Sequence, residues 1–171
     1  MKKTILTKNR NMKNVALVLT SILFLGLTSC NFDKRMQEQE KDLIANFIQA
    51  NNITVAPTES GLYFIEELVG EGPMPEDYDS VYVHYRTLLL SGQLIDESTG
   101  GDPFGFIIGV NQAIPGFEEG IKLMHEGGKA DLIIPSKLAY GSQGAGGVVG
   151  SYTPLLIEIE LVKVVAGPFI P

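Results

Sequence analysis

Val81-Tyr82-Val83-His84-Tyr85-Arg86 places Val, Val and Tyr on one side and Tyr, His and Arg on the other. That is the period of two that an extended strand imposes. A second stretch, Leu155-Leu156-Ile157-Glu158-Ile159-Glu160-Leu161-Val162, repeats the pattern with Leu155, Ile157, Ile159 and Leu161 on its apolar side. Each has one face for a core and one more polar face. Between these two stretches, Lys129 to Pro135 (KADLIIP) reads as another strand, and Ser91-Gly92 marks a turn between Leu88-Leu89-Leu90 and Gln93-Leu94-Ile95. Leu62-Tyr63-Phe64-Ile65 opens the series after a break at Pro57 and Ser60-Gly61. Against these strands stands one short helix, expected over Pro115 to Met124, where Phe117, Ile121 and Met124 fall at i, i+4 and i+7. Many strands and one helix predict an α+β domain, a curved antiparallel sheet wrapped around one short α-helix.

The chain has 171 residues, room for one such domain and short extensions. Its 13 Lys+Arg against 20 Asp+Glu give a net charge of -7, the wrong sign for holding phosphates, so nucleic acid is not an expected partner. One Cys and two His supply neither an intrachain disulfide nor a Cys-rich zinc site. His84 and His125 lack the partners of a hydrolase triad, and no G-x-S-x-G turn presents a serine. Fourteen of the 19 glycines lie between residues 91 and 150. The run Gly141-Ser142-Gln143-Gly144-Ala145-Gly146-Gly147 resembles a phosphate cradle only superficially, since no Lys-Ser/Thr follows it and a strand comes next. What remains is a set of aromatic and aliphatic residues near glycine-rich turns, with one carboxylate at Asp96. Such a set suits a shallow apolar pocket that needs no metal or cofactor. By its own chemistry Asp96 reads equally as a turn or cap residue.

The N-terminus reads differently. Lys2, Lys3, Lys8, Arg10 and Lys13 precede an apolar run from Val15 to Leu27, and no acidic residue occurs before Asp33. This predicts a secretory signal peptide over 1–29, whose true start is Met1 or Met12. The run is shorter than the ~18–20 residues that cross a bilayer. It ends Leu27-Thr28-Ser29-Cys30, which resembles the lipobox of bacterial lipoproteins and implies lipidation of Cys30 and attachment to a membrane of the cell envelope. Residues 30–53 read as a tether with a helix carrying Leu43, Ile44, Phe47 and Ile48 in one stripe. A spacer is the expected role, with docking on the domain or pairing with a second copy as alternatives. The domain is expected over 54–166 and a tail over 167–171. Removing 1–29 takes five basic residues and no acidic ones, leaving a net charge of -12, so residence at an anionic membrane would depend on the lipid.

Five segments in order carry a more specific signal: Val83-His84-Tyr85; Gly92 with Ile95-Asp96-Glu97-Ser98; Pro103 to Gly109 (PFGFIIG); Ile114-Pro115-Gly116-Phe117-Glu118-Glu119-Gly120; and Leu138-Ala139-Tyr140-Gly141. This order resembles the FKBP-type peptidyl-prolyl cis-trans isomerases over about residues 60 to 164, and with its leader the chain is similar to exported, lipid-anchored members, which in some bacteria accompany surface-motility machinery. The resemblance implies acceleration of X-Pro isomerisation in proline-containing polypeptide clients during folding of exported proteins. It implies Phe117 as pocket floor, Tyr85, Ile95, Phe104, Ile114 and Ile157 as walls, Tyr140 and the Ile114 N–H as donors to a substrate, and Asp96 as an orienting group at the edge. Departures from the family pattern are Phe117 in place of Trp, Ile95 and Ile157 in place of Phe, Ala113 in place of a larger aliphatic, and Ala145-Gly146-Gly147 at a loop tip. They predict a looser mouth and lower activity on short peptides. The alternative they motivate is a catalytically weak binding module in an envelope assembly.

Overall fold

The computed structural model describes residues 32–98 and 100–168. The signal-like segment, Cys30 and the last three residues of the tail therefore lie outside the described residues. A first helix, α1, is described over 32–50, and the strands are β1 (Tyr63–Leu68), β2 (Ser80–Leu89), β3 (Leu94–Glu97), β4 (Phe104–Ile107), β5 (Lys129–Ile134) and β6 (Leu155–Val165). Helix α2 (Pro115–Lys122) precedes β5, and a 3₁₀ turn (Ser136–Leu138) follows it.

All pairings are antiparallel, in the order β1-β5-β6-β2-β3, with β4 also on β2. Strand β2 serves two partners on its outer side: Ser80–Val83 meets β4 and Arg86–Leu88 meets β3. On its other side it runs along the full length of β6, with a bulge where Tyr82 opposes Lys163 and Val83 opposes Leu161. An extra residue on one strand bends the pair and sharpens its twist, so the sheet curves over α2. The period of two holds as expected: Val81, Val83, Leu155, Ile157, Ile159 and Leu161 are buried in one core with Phe106, Phe117, Ile121 and Met124.

Helix α2 is short and amphipathic, opened by Pro115 in its first turn, where a missing N–H costs nothing. It packs close to the sheet because two of its buried positions are glycine. A Cβ on Gly116 would come 2.4 Å from Ile134 Cγ2, and one on Gly120 would come 2.2 Å from Leu132 Cδ1. The two glutamates between them act as ties. Glu119 accepts hydrogen bonds from Thr58 Oγ1 at 2.9 Å and Ser60 Oγ at 2.8 Å, and Glu118 accepts one from the Gly109 N–H at 3.0 Å.

Part of the segment expected as a tether, residues 30–53, lies inside the compact unit. The compact unit begins at Gln39, so the second half of α1 belongs with the domain. Ile44 is buried there, and so is Glu40, while Leu43 is exposed. The stripe read from the sequence is thus split, because only one edge of it finds a partner.

The outer face of the sheet carries a groove of about 420 Å³ lined by Glu67, His84, Arg86, Lys129, Asp131, Glu158 and Glu160 among others. Its charges are largely paired, Arg86 with Glu158 at 2.7 Å and Lys129 with Glu160 at 3.0 Å. Asp131 lies directly across from Glu158. Burial, and then the neighbouring Glu158 and Glu67 carboxylates, push its carboxyl up to about 6 from 3.8. A carboxyl raised in the folded state takes up a proton on folding between those two values, so stability falls as pH rises from about 4 to about 6. Replacing Asp131 by Asn removes that cost. The Asp131→Asn protein is expected to be more stable near neutral pH, by about 1 kcal/mol after solvent screening. In thermal melts across pH the gain should vanish below about pH 4.

Candidate active site

On the concave side, at the end of the core, a pocket of about 130 Å³ is lined by Tyr85, Thr87, Asp96, Phe104, Gln112, Ala113, Ile114, Phe117, Tyr140, Leu155 and Ile157. It is smaller than the outer groove, but its walls are aromatic and aliphatic and its few polar groups converge. That is the chemistry of a site for an apolar ligand with one or two polar handles.

Phe117 lies at the bottom, 5% exposed, held by α2 against the sheet. Tyr85 meets it edge to face at 5.7 Å and meets Phe104 in the same way at 5.8 Å. Phe106 stacks on both Phe104, at 5.6 Å, and Phe117, at 5.8 Å, from within the core. Edge-to-face contacts bring ring hydrogens against a π face and so fix the tilt of each ring. The floor and one wall therefore form a rigid aromatic set. Ile157, on β6, also lines the pocket and is buried. It stands directly across from Thr87 on β2.

The polar groups sit around this floor. The Tyr85 hydroxyl donates to Asp96 Oδ2 at 2.8 Å, and Asp96 Oδ1 accepts the Glu97 N–H at 2.9 Å. Both carboxylate oxygens are thus used within the protein, and Asp96 fixes Tyr85. Burial, and then the bond to Asp96, push the Tyr85 phenol up to about 12, so it is a neutral donor throughout the physiological range. Ile114 is the N-cap residue of α2, in extended backbone. Its carbonyl accepts the Phe117 and Glu118 N–H groups, and among the described residues its own N–H makes no hydrogen bond. Tyr140 follows the 3₁₀ turn and is 41% exposed at the rim.

Of the residues expected from the sequence, Tyr85, Asp96, Phe104, Ala113, Ile114, Phe117, Tyr140 and Ile157 come together here. Ile95 does not line the pocket. It packs partly buried on the core, and Asp96, paired with Thr87, is the β3 side chain that faces the cavity, because Ile95 is the extra residue at a bulge in the β2–β3 pairing, where alternation is interrupted and a side chain is re-aimed. Thr87, Leu155 and Gln112 were not foreseen. Thr87 and Leu155 lie two residues from Tyr85 and Ile157 on the same strand faces, a signal present in the period-two pattern. Gln112 had none; its Oε1 accepts the Ile107 N–H at 2.9 Å and ties the loop before α2 to β4.

The glycine-rich segment is also tighter than its composition predicts. Ala145 and Val149 exchange reciprocal N–H to carbonyl bonds of 2.8 and 3.0 Å, and Val149 is buried. Gly144 has a φ of 65°, and a Cβ there would lie 2.3 Å from the Val149 carbonyl oxygen. The glycines let this hairpin close instead of loosening the mouth. His84 faces the outer groove and His125 Nδ1 bonds the Gly72 carbonyl at 2.8 Å, so neither belongs to the pocket. Among the described residues no three His, Cys, Asp or Glu side chains converge as a metal site.

Comparison with known proteins gives a consistent answer. A family model described as FKBP-type peptidyl-prolyl cis-trans isomerase matches residues 72–162. The chain is 39% identical over 143 residues to the FKBP-type peptidyl-prolyl cis-trans isomerase FkpA of Aeromonas hydrophila, covering 81% of this chain and 51% of that protein. It is 42% identical over 111 residues to the FKBP-type 22 kDa peptidyl-prolyl cis-trans isomerase of Escherichia coli, covering 64% and 53%. The chain spans about half the length of the curated relatives it matches. Among solved structures, a peptidyl-prolyl cis-trans isomerase of Pseudomonas syringae superposes with a TM-score of 0.67 at 30% identity, covering 78% of this chain and 96% of that one. FkpA of Escherichia coli gives 0.64 at 30%, covering 89% and 73%.

The Tyr85–Asp96 pair can be read directly in solution. In a ring-carbon NMR titration, the Tyr85 phenol is expected to resist ionisation well past its ordinary 10.0. In Asp96→Asn it should fall part of the way back, since burial persists when the charge is removed. An unchanged titration in the variant would show that Asp96 does not hold Tyr85.

Proposed function

Since the chain belongs to the FKBP-type peptidyl-prolyl cis-trans isomerases, we propose that its pocket accelerates cis-trans exchange of X-Pro bonds in polypeptides folding outside the cytoplasm. The observation that carries this reading is the convergence of Phe117, Tyr85, Phe104, Asp96 and Tyr140 on one small cavity with an aromatic floor and a polar edge.

The chemistry asks little of the protein. An X-Pro bond in an unfolded chain is roughly 10–30% cis, and rotation about it faces a barrier of ~18–20 kcal/mol. No covalent bond breaks, so no nucleophile, metal or cofactor is needed. The planar amide is strongly polar through resonance, and water solvates it well. At the twisted transition state that resonance is lost, and with it much of the demand for solvent. A dry pocket that holds the prolyl ring on Phe117 and between Tyr85, Phe104 and Ile157 therefore favours the twisted amide over the planar one. This is differential binding of the transition state. The Tyr140 hydroxyl and the Ile114 N–H are the donors that hold the flanking carbonyls of the client. Asp96 acts on Tyr85 and needs no proton transfer of its own. The substrate class is proline-containing polypeptide, with the shallow rim leaving the client chain in solvent on either side.

The test is a cis-trans exchange assay on a Phe-Pro peptide. Tyr140→Phe removes one donor worth about 1 kcal/mol and is expected to lower kcat/KM roughly fivefold. Phe117→Leu keeps apolar volume but loses the ring that forms the floor, and should lower it roughly tenfold or more. A wild-type chain that does not exceed the buffer rate, or variants with full activity, would overturn the reading and leave a binding module in its place.

The location belongs to the same proposal. The basic and apolar leader before Leu27-Thr28-Ser29-Cys30 supports export and lipidation at Cys30, which would hold the acidic domain to a membrane of the cell envelope. Expressed in a bacterial host, the chain is expected to take up labelled fatty acid and to partition with membranes. A Cys30→Ser variant should do neither, and a variant that is still acylated would place the lipid elsewhere.

A further inference from the structure

Tyr140 is presented by the 3₁₀ turn Ser136–Leu138, and that turn has no cap of its own. Pro135 precedes it in extended backbone with no side-chain hydrogen bond to its first N–H groups. The missing acceptor comes from 96 residues upstream. Glu40, on α1, receives the Ser136 N–H on Oε1 and the Ser136 hydroxyl on Oε2, the latter at 2.7 Å. The Glu40 residue is 8% exposed and Ser136 is 2% exposed. A carboxylate is costly to bury and is tolerated where donors meet both of its oxygens. Here both donors belong to one residue.

Ser136 is in turn the hub of the segment that carries Tyr140. Its carbonyl accepts the Ala139 N–H at 2.9 Å and the Gly141 N–H at 2.8 Å, the residues on either side of Tyr140. The same turn rests on α2: a Cβ on Gly116, beside Phe117, would lie 3.1 Å from Leu138 Cβ. Ile44, one helical turn after Glu40, is buried as well, and the contact from α1 to the 3₁₀ turn is the pair of bonds at Glu40. The carboxylate fixes Ser136, Ser136 fixes the backbone at 139 and 141, and these fix the hydroxyl at the pocket rim.

We infer that Glu40 is a positioning residue for Tyr140, so that the helix preceding the domain braces the rim of the active site. The inference rests on the isomerase reading for its effect on rate, and on geometry alone for its effect on the turn. Both are measured on the full chain, below the onset of melting, with Glu40→Gln and Ser136→Ala. Gln can still accept one hydrogen bond, and Ser136→Ala loses only the hydroxyl bond, so neither variant empties the site. By hydrogen exchange, the amides of Ala139 and Gly141 should open about tenfold faster in Glu40→Gln, while those of β5 and β6 keep their rates. In the exchange assay on peptide, kcat/KM of Glu40→Gln should fall about twofold to fivefold in the wild-type background, no more than Tyr140→Phe costs, and by less than about 1.5-fold further when Tyr140 is already Phe. Losses that multiply in the Tyr140→Phe background would show that Glu40 acts on the rate by a route other than Tyr140, and would overturn the positioning role. Unchanged exchange at Ala139 and Gly141 would overturn the brace itself. A wild-type chain without activity would overturn the isomerase reading and not the brace, which the exchange rates alone would then decide.

Discussion

The register of β2 against β6 is the constraint on which the rest depends. Val83 faces Leu161, Tyr85 faces Ile159 and Thr87 faces Ile157 along the centre of the sheet. Because strand side chains alternate with a period of two, a slip of one residue would send every one of them to the other face. With this register, the buried face begins as aliphatic core at Val81 and Val83 and becomes pocket wall at Tyr85 and Thr87. The site is thus the open end of the core, lined by the same strand faces, and it inherits the rigidity of close packing.

Helix α2 completes the cavity from below, and its glycines set the depth. With Gly116 and Gly120 against Ile134 and Leu132, the helix backbone approaches β5 closely enough for Phe117 to sit under Tyr85 instead of beside it. The acidic side chains around it serve the backbone more than the solvent. Glu118 and Glu119 tie two loops to the helix, and Glu126 Oε2 accepts the Val164 N–H at 2.6 Å at the far end of β6. An acidic composition that reads as surface charge in part supplies acceptors for backbone and hydroxyl donors, some of them part-buried.

The departures at the mouth look different in this setting. Ile157 keeps the wall dry without an aromatic edge. Ile95 leaves the cavity for the core, so the β3 contribution is Asp96 alone. The Ala145-Gly146-Gly147 tip is closed by reciprocal hydrogen bonds to Val149, and glycine there permits a tight hairpin instead of signalling slack. The pocket is small, about 130 Å³, and Tyr140 and Phe104 are exposed at its rim.

Read alone, the sequence determined the strands, the helix and most of the pocket, because all three come from local rules. Period two placed Val83, Tyr85, Ile157 and Ile159 on one face, and i, i+4 spacing put Phe117 and Ile121 on another. The contiguous basic and apolar blocks before Cys30 carry the expectation of a leader, which lies outside the described residues. What the sequence left undecided depends on contacts between distant segments. That Ile95 turns inward while Asp96 faces the cavity is set by where β3 pairs on β2, and the closure of the 141–150 loop is set by a bridge between Ala145 and Val149. The largest difference is α1, read as a spacer from a weak stripe. Its docking rests on a buried Glu40 that meets Ser136, and a charged residue on a helix carries no local mark of burial. Only the tertiary structure brings its two donors within reach, because hydrogen-bond satisfaction at a buried charge is a property of the folded surroundings and not of the segment that bears it.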